Sequence, residues 1–201
     1  LTVHNENYPQ PPMPDTATEE GVIEGLYLFS KAEKRLKHHV QLFGSGSIMM
    51  QVLAARDLLA ERFDVSADVW GATSYQQLRH NALTMERHNR LHPTGAPISC
   101  WLVDVLKDVE GPFIAASDFM KAVPDQVSRW IPGTYVSLGT DGFGMSDTRE
   151  ALRRHFEVDG ESIALGALTA LHRDGQIDAA TVDAAIGSLE YDPDKFRPTS
   201  L

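Results

Sequence analysis

The sequence predicts an α/β protein, a mostly parallel, mixed sheet covered by helices on both faces. Three observations predict it. Short β-prone apolar runs recur at residues 40–43, 65–70, 113–116 and 135–138. Segments with helical apolar spacing, about 10 to 15 residues long, separate most of them. Glycine, proline, serine and aspartate gather at the joins, where turns and helix caps need them.

The elements follow in order. Residues 1–20 read as the end of a preceding domain and its exit linker, with the globular domain over residues 21–201. The chain starts at Leu1 without Met, basic segment or apolar signal region, and residues 1–3 have the character of a strand end, as a piece of a longer polypeptide would. Pro9, Pro11, Pro12 and Pro14 then block both helix and central strand and favour an extended connection. Val22, Ile23, Leu26 and Phe29 recur at helical spacing and predict a short amphipathic helix ending near Ser30. Residues 40–43 form a strand entering the loop Gly44, Ser45, Gly46, Ser47. Ile48, Val52, Ala55, Leu59 and Phe63 describe the next helix, about four turns long and capped by Ser47.

A second strand spans residues 65–70, and a helix starts near Ser74 and runs towards His88. Pro93 and Pro97 bracket a loop, and residues 98–109 are apolar without a decisive period. After the strand at 113–116, Asp118 is placed to cap a helix through Val127 to Trp130; the strand at 135–138 follows. Two helices close the chain. One spans residues 161–173 and ends at Gly175; the other spans residues 179–189 and is entered through Asp178.

The most specified stretch is residues 138–159. Gly139, Gly142 and Gly144 allow a sharp turn, and Asp147 stands as an N-cap with Glu150 three residues on, an aspartate version of the capping box. Asp141 and Asp147 flank Phe143. Two carboxylates divide acid and base roles only where their environments separate their pKa values. Nothing in the spacing brings these two together, and Asp147 already has a structural role as a cap. The turn is therefore a candidate interface element made of Asp141, Gly142, Phe143, Gly144 and Asp147.

Composition narrows the function classes. At 201 residues, with 42% hydrophobic and 23% charged side chains, the chain has the make-up of a globular domain with a full core. No apolar run approaches the roughly 20 residues that cross a bilayer, so no membrane role is expected. A net charge of -10 without a basic stripe argues against nucleic acid as partner. The densest basic run, Lys31, Lys34, Arg35 and Lys37 beside His38 and His39, reads as a solvated stretch leading into a strand. The single Cys100 excludes an internal disulfide and fits a reducing cytoplasm. Beside Trp101, Leu102 and Val103 it reads as a core thiol, with no base to make it a nucleophile.

Two patterns fall short of a site. His88 and His92 share a helix face, but Pro93 follows at once and no Glu follows His88, so they read as surface or loop-packing histidines and no metal ligand is assigned. The loop Gly44, Ser45, Gly46, Ser47 lies between strand and helix, where backbone N–H groups can hold an anion. Met49 stands where the dinucleotide fingerprint has its third glycine, and the lysine of a phosphate-binding loop is missing. The loop remains a weak anion-binding candidate beside its plainer reading, a compact turn.

Set beside known families, the chain resembles, over essentially its whole length, the carboxy-terminal part of the homodimeric, thiamine-dependent first component of the bacterial pyruvate dehydrogenase complex. The resemblance rests on Thr2-Val-His-Asn-Glu-Asn-Tyr8, Val40-Gln-Leu-Phe-Gly-Ser-Gly-Ser47, Leu91-His-Pro93, Ala116-Ser-Asp-Phe-Met-Lys121, and Leu138 through Asp147 continuing over Arg153-Arg-His-Phe-Glu-Val-Asp159. It implies the third, transketolase C-terminal-like domain of a three-domain enzyme. The first two domains would hold thiamine diphosphate and Mg2+ across the dimer, and the family's catalytic motifs would lie upstream of Leu1. No catalytic, cofactor-binding or metal residue is therefore assigned within this chain, and no cofactor is expected on it.

The implied whole enzyme decarboxylates pyruvate, the product of glycolysis, and reductively acetylates lipoyl groups. Its implied partners are the preceding domains, the second subunit of a homodimer and the dihydrolipoyl acetyltransferase core. On this reading the chain itself is structural, extending the dimer interface, and inactive alone. The alternatives are a free-standing nucleotide or anion binder using Gly44 to Ser47, and a module that docks the acetyltransferase core.

Overall fold

The computed structural model describes residues 7–9 and 11–200. The strand end expected at residues 1–3, and residues 2–6 of the first matching motif, lie outside the described residues.

The first helix, α1 (Glu19–Glu24), is capped by Thr18, whose hydroxyl accepts from the Gly21 amide at 3.0 Å. Glu19 and Glu20 place negative charge at its positive end. The helix then stops at Gly25, and β1 (Leu26–Ser30) begins, which corrects the helix expected through Ser30. Gly25 has φ +108°, and a Cβ there would lie 2.5 Å from the Ser74 carbonyl oxygen, so the chain can only turn at this position. Leu26 and Phe29 fit a helical period, but Leu26 and Leu28 also share one face of a strand while Phe29 packs on the other. The forced turn at Gly25 decides between the two periods.

The remaining elements are β2 (His38–Gly44), α2 (Met49–Phe63), β3 (Val65–Ala72), α3 (Tyr75–Leu91), α4 (Trp101–Leu106), β4 (Phe113–Ala116), α5 (Ala122–Asp125), β5 (Tyr135–Leu138), α6 (Arg149–Phe156), α7 (Gly160–Arg173) and α8 (Ala179–Ser188). Residues 98–109 thus hold one short helix. The long helix expected from Asp118 to Trp130 is instead α5 followed by a 3₁₀ turn at residues 128–130. Pro124 sits inside this run and supplies no amide to continue a helical ladder.

The five strands lie in the order β1-β3-β2-β4-β5. Only β1 is antiparallel to its neighbour; the others run parallel. The sheet alternates with period two. Val40, Leu42, Val65, Ala67, Val69, Ile114 and Ala116 face α2 and α7. Phe43, Trp70, Phe113 and Ala115 face α3 and α4 on the opposite side. Both faces are apolar, as a parallel sheet covered on both sides requires. Phe43 centres the second layer, edge-on to Trp70 at 6.2 Å and Phe113 at 5.8 Å between ring centroids. Each such fully buried side chain contributes roughly 1.5–3 kcal/mol. The buried Gln41 is satisfied, accepting from Trp70 Nε1 at 2.7 Å and donating to the Glu110 carbonyl at 2.9 Å.

Candidate functional site

Because β2, β4 and β5 run parallel and adjacent, their following loops emerge side by side. The register pairs Gly44 with Ala116 and Ala116 with Leu138. The chain leaves β2 towards β3 on one side, and β4 lies on the other, so the order reverses at this edge. Ligands of open α/β sheets bind outside the carboxyl ends of strands at such a reversal. Both sequence candidates, the Gly44–Ser47 loop and the glycine turn after Leu138, meet here.

The segment after β4 joins them. Ser47 Oγ donates to Asp118 Oδ2 at 3.2 Å, and a Cβ on Gly46 would come 3.4 Å from Asp118 Oδ1. On the other side Thr140 Oγ1 donates to the Asp118 carbonyl at 2.6 Å, and the Thr140 amide to the Phe119 carbonyl at 2.9 Å. Asp141 Oδ1 accepts from the Lys121 amide at 2.9 Å. Asp118, expected as a helix cap, is thus the post between the two loops. A cavity of about 310 Å³ lies against it, lined by Ser47, Asp118, Thr140, Arg149, Arg153 and Phe156 among others.

This arrangement bears on each candidate. Ser47 was expected to cap α2; the position before that helix is Ile48, and the Ser47 hydroxyl is engaged with Asp118 instead. The Ile48 amide is already given to the Ser45 carbonyl at 3.2 Å. A carboxylate beside the loop opposes a second negative charge, so the Gly44–Ser47 loop is a poor anion cradle. Asp147 is not the cap of α6: Thr148 takes that place and accepts from the Ala151 amide at 3.2 Å, while Asp147 accepts from the Thr148 amide at 2.7 Å. Glu150 therefore falls one position short of a capping box. Asp141 and Asp147 serve different amides on different segments, which gives a catalytic pair no support.

The three glycines of the turn have different occupations. A Cβ on Gly139 would lie 2.5 Å from the Phe119 carbonyl oxygen and 2.9 Å from the Lys121 nitrogen. Gly142 has φ +106° and abuts the Pro198 carbonyl; Gly144 has nothing within 4 Å of such a Cβ. The turn thereby projects Phe143, 78% exposed, and Met145, 48% exposed. Phe119 and Met120, each 57% exposed, stand on the neighbouring segment. Four large apolar side chains thus stand exposed on two hydrogen-bonded loops.

His88 and His92 stack at 4.2 Å between rings, and His92 Nδ1 meets the His88 carbonyl at 2.9 Å, a local packing arrangement at the end of α3. Among the described residues, no group of three or more His, Cys, Asp or Glu is placed to share a metal ion. Cys100 is buried, and burial pushes its thiol above the ordinary value, which suits an inert core position.

One cluster escaped sequence reading. At the opposite edge of the sheet, buried His39 places Nδ1 2.8 Å from Ser66 Oγ and Nε2 3.3 Å from Asp68 Oδ2. Serine, histidine and aspartate in that order suggest nucleophilic chemistry. However, Ser66 is 3% exposed and its hydroxyl also donates to the His38 carbonyl and accepts from the Leu36 amide. Asp68 Oδ1 holds the Ala32 amide at 2.8 Å. The cluster is a clamp that fastens the basic loop 31–37 to β3. The alternating positions 66 and 68 on a strand were its only sequence signal.

Comparison with known proteins agrees with this geometry. Residues 25–159 match the family described as the transketolase-like TK C-terminal domain. The chain is 46% identical over 199 residues to the Pyruvate dehydrogenase E1 component of Pseudomonas aeruginosa, covering 98% of this chain and 22% of the relative. The corresponding protein of Mycolicibacterium smegmatis is 44% identical over 192 residues, covering 96% of this chain and 21% of the relative. The chain thus spans only 21 or 22% of the length of these relatives. Among solved structures, a transketolase mutant from Pichia stipitis superposes with a TM-score of 0.56 over 87% of this chain and 21% of that one, at 16% identity. That likeness shows the fold alone.

Proposed function

The chain belongs to the transketolase-like C-terminal domain family, and from that premise we propose that it is the non-catalytic third domain of a thiamine diphosphate-dependent pyruvate dehydrogenase first component. The observation that carries the proposal is the 42–46% identity to Pyruvate dehydrogenase E1 components over nearly the whole chain. The whole protein would decarboxylate pyruvate and pass the acetyl unit to lipoyl groups of an acetyltransferase core. Its compartment would be the cytoplasm, consistent with the lone reduced Cys100.

The residues present do not fit the cofactor. Thiamine diphosphate needs a cradle for its diphosphate and oxygen ligands for Mg2+. The strand-to-helix loop, the sequence candidate for a phosphate cradle, carries the Asp118 carboxylate against Gly46 and Ser47. No cluster of ligating side chains accompanies it among the described residues. Cofactor binding is accordingly assigned to parts of the protein outside this chain.

The contribution of this domain is contact. Active sites built between subunits depend on how the subunits are held, and small misplacements of reacting groups cost about a hundredfold in rate. The projecting Phe143 and Met145, with Phe119 and Met120 beside them, are the surface for that contact, in a symmetric interface with a second subunit. Replacing Phe143 by Ala in the full-length protein should raise the dimer dissociation constant, measured by analytical ultracentrifugation, or lower pyruvate turnover. Unchanged values for both would remove the interface assignment. Calorimetry with inorganic phosphate and nucleotides tests the rival reading, and a saturable heat lost on Ser47→Ala would favour it instead.

A further inference from the structure

The glycine turn has a second support that the sequence patterns left unread, the carboxy-terminal segment after α8. Between Gly142 and Ser146 the turn runs almost entirely exposed. From outside, the Pro198 carbonyl oxygen occupies the space a Cβ of Gly142 would take, at 2.5 Å, with the Thr199 nitrogen at 3.4 Å. The tail is therefore seated on the apex of the turn.

The tail also grips the helix that follows the turn. Lys195 Nζ donates to the carbonyls of Arg154 at 2.8 Å and His155 at 3.0 Å, and lies 3.5 Å from Glu157 Oε1. Those carbonyls belong to the last turn of α6, where a cation is favoured by both hydrogen bonding and the helix dipole. In return, Arg154 donates to the carbonyls of Leu189 and Glu190, each at 3.0 Å, and lies over the Tyr191 ring at 4.5 Å. The Tyr191 hydroxyl meets Ser162 Oγ at 3.3 Å.

Helix α6 depends on such support. It has eight residues, none of them fully buried, and isolated helices shorter than about 12 residues are marginal in water. Its order comes from tertiary contacts, and the tail supplies cationic contacts at its end while touching the turn at its beginning. We propose that residues 190–199 form a latch, with Lys195 as its bolt and Pro198 as its stop, that sets the conformation of the glycine turn and hence the presentation of Phe143. Release of the tail frees α6 and the turn together. The latch itself is independent of the interface reading; only its consequence for assembly rests on that reading.

Hydrogen–deuterium exchange on the full-length protein tests it, with Lys195→Met removing the cation and keeping the stem, and Lys195→Arg as the conservative control. Lys195→Met should speed exchange of amides in residues 140–156 by at least about tenfold, the factor one lost charge-assisted hydrogen bond corresponds to. Amides of Val40 and Leu42 in the central strand should keep their protection, and Lys195→Arg should restore the turn. Coupling is reciprocal, so Gly142→Ala, which displaces Pro198, should speed exchange in residues 190–199. Faster exchange in the tail with an unchanged turn would overturn the proposal, as would a uniform rise that includes Val40 and Leu42. The readout does not depend on dimerisation, so a failed Phe143→Ala test leaves it standing.

Discussion

Gly139→Ala is the sharpest test of how the two loops at the carboxyl edge are held together. The added methyl carbon would lie 2.5 Å from the Phe119 carbonyl oxygen, 2.9 Å from the Lys121 nitrogen and 3.2 Å from the Met120 carbonyl carbon. All three are backbone atoms, so no side chain can swing away. The loops must part, at a cost of about 1–3 kcal/mol for overpacking. Parting them also strains the Thr140 amide bond to Phe119 and the Asp141 bond to the Lys121 amide, both 2.9 Å. Losing one adds about 1 kcal/mol, for a total of roughly 2–4 kcal/mol. The control is Gly144→Ala, where nothing lies within 4 Å and φ is not left-handed. That change should fall within about 0.5 kcal/mol of neutral, or stabilise slightly by restricting the unfolded chain. Urea titration followed by tryptophan fluorescence measures both. A loss below about 0.5 kcal/mol for Gly139→Ala would refute the close-approach reasoning, and so would equal losses for the two variants.

Other expectations follow from the clamp and the core. Burial pushes the Asp68 carboxyl up, but hydrogen bonds from His39 and the Ala32 amide, with Arg35 nearby, bring it below the ordinary carboxylate value. A depressed carboxyl contributes stability that is present above its unfolded pKa and lost as pH falls through its folded one. Stability measured from neutral pH downwards should therefore fall less steeply through the carboxylate range in Asp68→Asn than in the parent, and parallel curves would assign the acid sensitivity elsewhere. His39→Phe removes both contacts and should release loop 31–37 to proteolysis at Lys31, Lys34 or Lys37; trypsin mapping checks it. Cys100, buried with a raised thiol pKa, should resist alkylation in the folded protein and react on denaturation, and fast native labelling would contradict its core placement.

The sequence made the architecture legible where one period was unopposed. Strands β2 to β5 announce themselves because each is an apolar run between turn residues, α7 because Gly175 marks its end and α8 because Asp178 caps it. Sequence reading failed where two periods coincided. Leu26 and Phe29 satisfy a helix and a strand alike, and only the backbone of Ser74, distant in sequence, shows why Gly25 ends the helix. Caps failed by one residue for a related reason. Asp147 and Thr148 are both good caps, and the choice depends on where the turn, fixed by Phe119 and Lys121, delivers the chain to α6.

The candidate site was less legible than its parts. Residues 44–47, 117–121 and 139–147 are separate in sequence, and only the strand order β2-β4-β5 places them side by side. That adjacency changes the meaning of each. A glycine-serine loop alone suggests an anion; with Asp118 against it, it is a post for the neighbouring turn. A glycine turn with two aspartates alone suggests acid–base chemistry, yet each aspartate is committed to a backbone amide, Asp141 to Lys121 and Asp147 to Thr148. Asp141 ties the turn to the segment after β4, and Asp147 serves the amide next to it in the chain. The large apolar side chains that the edge leaves exposed, Phe143 and Met145 on the turn and Phe119 and Met120 on the neighbouring segment, stand among the exposed polar Ser146, Asp147 and Thr148.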